Sequence, residues 1–293
     1  MKPAIATIGV IVKPQQPEAV ETVCRLLEWT TERGIRLIGE PEIDRTRIER
    51  HTNCHIEIEE REQLAQTVDL IVVLGGDGTM IATARLLGER EIPVVGINYG
   101  TLGYLAEFTV EEMLPALEQI VAGEYEVERR MLIDARLMRD GTEVARSRAL
   151  NEVVVGKSAL ARIIEIEIRI NDQFVNSFRA DGLLVSTPTG STAYNLSAGG
   201  PIIYPSMSTI VITPICPHTL SNRPLVVPDT ARVELELKNS MEDVALTVDG
   251  QVGFTLRAGD QVLINKSRAA FPLVLSPNRN YFDVLRNKLR WGR

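Results

Sequence analysis

Residues 69–87 read DLIVVLGGDGTMIATARLL. Behind one acid, residues 70–74 form a short unbroken apolar run, the pattern of a strand buried on both faces. Gly75-Gly76-Asp77-Gly78 breaks that run, and residues 79–87 then read as a helix. A buried strand that turns through glycines straight into a helix is the unit of a parallel sheet with helical cover. The flanks repeat the pattern. Residues 4–12 are rich in Ile and Val. Residues 18–33 space Val20, Val23, Leu26, Leu27 and Thr30 at helical intervals and stop at Gly34. Short strands follow at 35–38 and 92–97, and a helix at 111–121. The fold expected for this half is α/β, a Rossmann-like parallel sheet.

Around Gly123 the pattern changes. Residues 163–170, IIEIEIRI, alternate apolar and charged side chains, as a strand with one wet face does. Arg139-Asp140-Gly141-Thr142, Asn171-Asp172 and Asp249-Gly250 read as tight turns between extended runs. The second half is expected to be all-β, antiparallel and sandwich-like. The expected division is 1–123 for the α/β domain, 124–277 for the β-rich domain, and 278–293 for a weakly helical tail packing back on the first.

The 293 residues are 44% hydrophobic and 24% charged, an ordinary globular balance, with a formal net charge of −7. A chain of this length buries roughly three quarters of its unfolded surface, so it needs no disulfide or metal staple. The acidic balance gives no broad footprint for nucleic acid or anionic lipid, and no run approaches the length of a membrane helix. No nucleic-acid or membrane partner is expected. Three cysteines, Cys24, Cys54 and Cys216, do not make a disulfide scaffold and point to a reducing, cytoplasmic setting. His51-Thr52-Asn53-Cys54-His55 is crowded and lacks the paired spacing of a zinc site; it reads as a polar loop. No metal ligand is assigned to a protein residue.

The candidate chemistry starts at Gly75-Gly76-Asp77-Gly78-Thr79. Ligands of open α/β sheets bind at the carboxyl ends of strands, where glycines admit a phosphate to backbone amides at a helix start. Gly75, Gly76, Gly78 and Thr79 therefore form the expected phosphate-donor loop. An acid inside such a loop makes sense if it accepts a proton from an attacking hydroxyl or holds a cation. The plain alternative is a turn-stabilising Asp. No Walker A motif is present: Gly156-Lys157-Ser158 lacks its upstream glycine, because Asn151 stands there. Residues 98–105, NYGTLGYL, follow another strand, and Tyr104 offers a flat face to an adenine. Asn151-Glu152 opens a strand and suits ribose hydroxyls. Residues 179–201, RADGLLVSTPTGSTAYNLSAGGP, crowd hydroxyls and glycines around apolar anchors, the composition of an ordered ligand-wrapping loop. His218, alone after Cys216-Pro217, reads as a structural histidine.

Taken in order, GGDGT, NYGTLGYL, the Asn-Glu pair, DGLLVSTPTGSTAYNLSAGGP, PICPHTLSNRPLVV and DGQ resemble the NAD kinase family across nearly the whole chain. GGDGT alone also occurs in lipid kinases of the wider superfamily. The TPTGSTAYNLSAGGP stretch with Asn-Glu is the specific part. The resemblance implies phosphorylation of the adenosine 2′-hydroxyl of NAD to give NADP, with ATP or polyphosphate as donor. It implies that Asp77 is the base and Gly78 its NAD-contacting neighbour. Asn151 and Glu152 would hold the nicotinamide-side ribose. Arg162, Arg179 and Asp181 match contact positions near the dinucleotide, as does Gln251 late in the chain. Thr192, Ala193, Tyr194, Asn195, Leu196 and Ser197 match a further contact run, and Tyr104 stands where the family usually has Phe. A divalent cation, Mg²⁺ by preference, would accompany ATP. The site would lie between the domains, and the assembly would be a homodimer or homotetramer. A lipid kinase and a non-catalytic dinucleotide sensor are the competing readings. The first lacks an apolar membrane-facing segment here, and the second would not need Asp77.

Overall fold

The computed structural model describes residues 4–52, 54–100, 102–157, 163–219, 221–239 and 244–291. The chain divides into two compact units, residues 1–129 with 271–293 and residues 130–270.

In the first unit β1 (Thr7–Val12), α1 (Ala19–Glu32), β2 (Arg36–Gly39), α2 (Arg45–Thr52), β3 (Glu57–Ile58), α3 (Arg61–Thr67), β4 (Leu70–Leu74), α4 (Asp77–Leu86) and β5 (Val94–Asn98) alternate. The short β6 (Phe108–Thr109) and α5 (Met113–Val121) complete the series. The sheet order is β3-β2-β1-β4-β5, all parallel, with β6 beside β5. Every residue of β4 is fully buried, because helices cover both faces of a parallel sheet. Removing each such Val, Leu or Ile from water contributes roughly 1.5–3 kcal/mol, which makes β4 the anchor of this core.

The second unit is antiparallel. One sheet holds β10 (Ile164–Ile170), β11 (Gln173–Ala180), β15 (Val233–Leu237) and the start of β18 (Gln261–Val274), in the order β11-β10-β15-β18; β7 (Val127–Arg139) and β8 (Thr142–Ala149) pair as a hairpin. The other holds β9 (Glu152–Lys157), β12 (Gly182–Ser186), β13 (Thr209–Ile215), β14 (Leu225–Pro228), β16 (Val244–Val248) and β17 (Val252–Leu256), in the order β14-β13-β12-β9-β16-β17. Alternate residues of both sheets, such as Ile166, Leu235, Val153, Val185 and Leu246, meet in one core. Asp140-Gly141, Asn171-Asp172 and Asp249-Gly250 all take positive φ, the left-handed pairs that two-residue hairpins require.

Leu273 near the end of β18 pairs with Val94 of β5 in the first unit. The chain then closes with α7 (Tyr281–Leu289), capped reciprocally by Asn280 and Asp283. Arg279 ties this end to the first unit through Glu112 and the carbonyl of Glu107.

Three local readings need correction, and one helix was missed. The helix expected from 79 begins at Asp77, where an acid in the first turn is favoured by the exposed amide ends. His51 and Thr52 of the presumed polar loop close α2, whose single buried apolar residue, Ile48, left too thin a periodic signal. The same weakness hid α3. Within 189–197, read as a loop, lie a 3₁₀ turn at Thr189–Thr192 and one helical turn, α6 (Tyr194–Ser197). Among the described residues no cluster of three or more His, Cys, Asp or Glu side chains could hold a metal ion.

Candidate active site

Each unit carries part of the expected constellation. In the first, β4 delivers its carboxyl end to Gly75, whose N–H donates to the Ile97 carbonyl (2.9 Å). Gly75 is there for close approach. A Cβ on it would lie 2.6 Å from Thr79 Oγ1 and 3.1 Å from Lys13 Cβ. Asp77 then starts α4 with its carboxylate turned onto the loop after β5. Oδ2 accepts from the Tyr104 amide (2.9 Å), and Oδ1 from those of Leu105 (3.0 Å) and Ala106 (3.1 Å). Gly103 makes this contact possible, since a Cβ on it would lie 1.8 Å from Asp77 Oδ1. The structure thus brings together GGDG and NYGTLGYL, two motifs the sequence left apart. Burial, followed by the Asp77 charge, raises the Tyr104 phenol above its ordinary pKa.

A cavity of about 500 Å³ opens at this point, within the range of small-ligand sites. Gly75, Gly76, Asp77, Gly100 and Gly103 line it, together with Lys13 and Lys288. Thr79 faces a separate depression beside Arg61 and Arg85. The two lysines had escaped notice. Lys13 ends β1, so the rule that ligands bind at strand carboxyl ends, applied to the first strand, would have found it. Lys288 gave no local signal, because only the folded tail brings it here.

In the second unit the Asn-Glu pair is held by an unforeseen clamp. The Asp249 carboxylate accepts from the amides of Leu150 (3.0 Å), Asn151 (2.8 Å) and Glu152 (3.1 Å). From the other side Thr187 Oγ1 donates to the Leu150 carbonyl, and the Thr187 amide to that of Asn151. Glu152 is 6% exposed, and its Oε2 has no hydrogen-bond partner among the described residues. Burial first, and the Asp249 charge second, push its pKa up to about 8, against the opposing pull of the Tyr194 amide. Near neutrality it is a buried, protonated acid able to donate as well as accept.

The 189–197 turns rest on Asn195. Fully buried, it donates from Nδ2 to the carbonyls of Ser191 and Pro201 and accepts from Thr213 Oγ1. Its side chain is therefore spent on holding the turn. Thr192, Ala193, Leu196 and the exposed Tyr194 and Ser197 are presented around it. A second cavity, about 670 Å³, is lined by Asp181 and Tyr194 with Lys157 and Cys216. Lys157 lies 3.1 Å from Asp181. Arg179 and Gln251 are exposed, and Arg162 lies outside the described residues.

Two family models match the chain, the ATP-NAD kinase N-terminal domain over residues 8–125 and the ATP-NAD kinase C-terminal domain over residues 150–276. The chain belongs to the NAD kinase family. It is 46% identical over 285 residues to the NAD kinase of Geotalea daltonii, covering 97% of this chain and 98% of that one. With the NAD kinase of Solibacter usitatus it shares 43% over 293 residues, 99% of each. An NAD kinase from Archaeoglobus fulgidus, solved with ATP, superposes with a TM-score of 0.73 at 28% identity over 97% of this chain and 98% of that one. Yeast NADH kinase, solved with NADH, shares the fold: TM-score 0.90 at 24% identity, over 99% of this chain and 89% of that one. The N-terminal match includes Asp77, and the C-terminal match includes Asn151 and Glu152.

Proposed function

We propose that this member of the family transfers the terminal phosphoryl group of ATP to the adenosine 2′-hydroxyl of NAD, giving NADP and ADP. The observation that carries the reading is Asp77, a carboxylate fixed by three amides at a strand end, in a glycine-lined cavity. An ionised carboxylate has about four acceptor sites, so three amide bonds leave one for the incoming hydroxyl. The hydroxyl oxygen bonds to the terminal phosphorus, its proton passes to Asp77, and the bond to the ADP oxygen breaks. Such transfer depends on positioning and on charge stabilisation more than on covalent help.

The loop at Gly75, Gly76, Gly78 and Thr79 receives the donor's phosphates. Asn151 and Glu152 hold a ribose through the amide and the protonated acid. Tyr104 packs on the adenine. Arg162, Arg179, Asp181, Gln251 and residues 192–197 complete the dinucleotide contacts, with Asn195 acting from beneath its turn. A divalent cation brought by ATP would be held chiefly by the substrate's own phosphates and water, as Mg²⁺ commonly is. Bound there, such a cation would neutralise phosphate charge. Mg²⁺ as that cation, a cytoplasmic setting, assembly as homodimer or homotetramer, and functional modules at 1–123, 124–277 and 278–293 belong to the same reading. No helix among the described residues is long and apolar enough to cross a membrane.

Incubating the protein with NAD, ATP and Mg²⁺ and scoring the product with an NADP-specific dehydrogenase tests this. NADP should accumulate with ATP consumption. Its absence, with polyphosphate or NADH substituted as well, would return the chain to the lipid-kinase or sensor reading.

A further inference from the structure

The described residues include five lysines, and they fall into two groups. Lys157, Lys238 and Lys266 each lie on a carboxylate. Lys13 and Lys288 make no ion pair and no side-chain hydrogen bond among the described residues. These are the two that line the cavity at Gly75, Gly76 and Asp77. In a chain of net charge −7, two unpaired cations in one cavity are a deliberate concentration of positive charge. The acidic side chain there, Asp77, already has three amide donors. The start of α4 adds its own partial positive charge at Gly76.

Both lysines are held in place by the fold. The Lys13 amide donates to the Leu74 carbonyl (2.9 Å). The preceding Val12 amide donates to Glu40 (2.6 Å), a fully buried carboxylate that Arg61 also grips. Lys288 stands in the last turn of α7, which buries Val284 and Leu285 and is capped by Asn280 and Asp283. The floor between them is open. Gly76 has φ −94° and ψ −167°, a conformation any residue adopts, and a Cβ there would meet nothing within 4 Å. Neither backbone nor packing requires glycine at 76, so the missing side chain leaves room for something that the protein itself does not supply.

We propose that Lys13 and Lys288 bind the phosphoanhydride chain of the phosphoryl donor, making the carboxyl-terminal helix α7 a working wall of the donor site. This rests on the function proposed above and extends it to two residues. Ammonium groups act here as flexible point charges, suited to a phosphate chain whose oxygens shift during transfer. ATP and inorganic polyphosphate share that chemistry, and either could be the source.

The test uses the full-length protein with Lys13→Gln, Lys288→Gln, the double variant, and the two Lys→Arg controls. KM for ATP, KM for NAD and kcat are measured, with thermal unfolding as the check on folding. Calorimetric titration with ATP and with inorganic tripolyphosphate gives a readout independent of turnover. Each Gln variant should raise the KM for ATP about tenfold or more, the loss expected when one charge-assisted contact is removed. KM for NAD should stay within twofold, Arg should restore most of the loss, and tripolyphosphate binding should weaken in parallel. Weakening of ATP binding together with tripolyphosphate binding marks the phosphate chain as the recognised part. Unchanged ATP and tripolyphosphate binding in a folded double variant overturns the proposal, as does a rise confined to the KM for NAD. If the parent makes no NADP, the kinase reading fails by itself; the titrations still decide whether the two lysines hold phosphates.

Discussion

Asp77 lines a cavity at a strand end, whereas Glu152 is buried at the start of β9, and their surroundings differ. Asp77 sits among three amide donors. Glu152 is buried, faces Asp249, and has a pKa near 8. Its folded-state value lies above the ordinary carboxylate range, so the folded chain holds a proton that the unfolded chain has released. The stability tied to that proton is fully present below the unfolded value, near 4.5, and is lost as pH rises through about 8. Thermal unfolding between pH 5 and 9 should show this decline, on the order of 1.4 kcal/mol per pH unit at most. Glu152→Gln should flatten it and raise the KM for NAD. A second prediction concerns Gly103. Its Cβ would overlap Asp77 Oδ1, so Gly103→Ala must displace either the loop or the carboxylate. Stability should fall by about 1–3 kcal/mol and turnover by more than tenfold, whereas Gly76→Ala should leave stability within about 1 kcal/mol and weaken ATP binding. At this scale the sequence named Asp77 and Glu152 through their motifs. It could not show Asp249 clamping the Asn-Glu segment, because that contact joins residues almost a hundred positions apart.

Among the elements, β4 and α4 were legible because an unbroken apolar run and a glycine break leave a strong local trace. The turns at Asp140-Gly141 and Asp249-Gly250 were legible because two left-handed residues in a row demand those residue types. Short amphipathic helices such as α2 and α3 were not, since one or two buried residues make no periodic stripe. The tail is the instructive case. Its weak helical pattern is completed by a capping box and two buried residues, and only the fold shows which cavity its last turn reaches. Asn280→Ala should cost about 1 kcal/mol of helix stability and, through Lys288, raise the KM for ATP while sparing that for NAD. Leu74→Ala, in the fully buried β4, should destabilise the protein by about 2–5 kcal/mol in denaturant unfolding.

Over the whole molecule, two separate apolar cores serve two cavities, one framed by βα turns and one by the rim of a sandwich. The fold class was readable because strand–helix alternation and two-residue turns differ in period. Lys13 and Lys288 meet in the fold from opposite ends of the chain, which no sequence pattern encodes. This arrangement predicts that the two substrates protect different parts of the backbone. In hydrogen exchange, ATP should slow residues 75–79 and leave 150–152 and 189–197 unaffected, whereas NAD should slow residues 102–106, 150–152 and 189–197. Either ligand at a hundredfold excess over its Kd should add about 2.7 kcal/mol of stability. The most direct test of the central claim compares NADP formation from NAD and ATP by the parent and by Asp77→Asn, which keeps size and hydrogen bonding but cannot take the proton. The account predicts steady NADP production by the parent and a kcat lowered about 10²–10⁴-fold in the folded variant, with both KM values little changed. A variant that turns over at the parent's rate would contradict it.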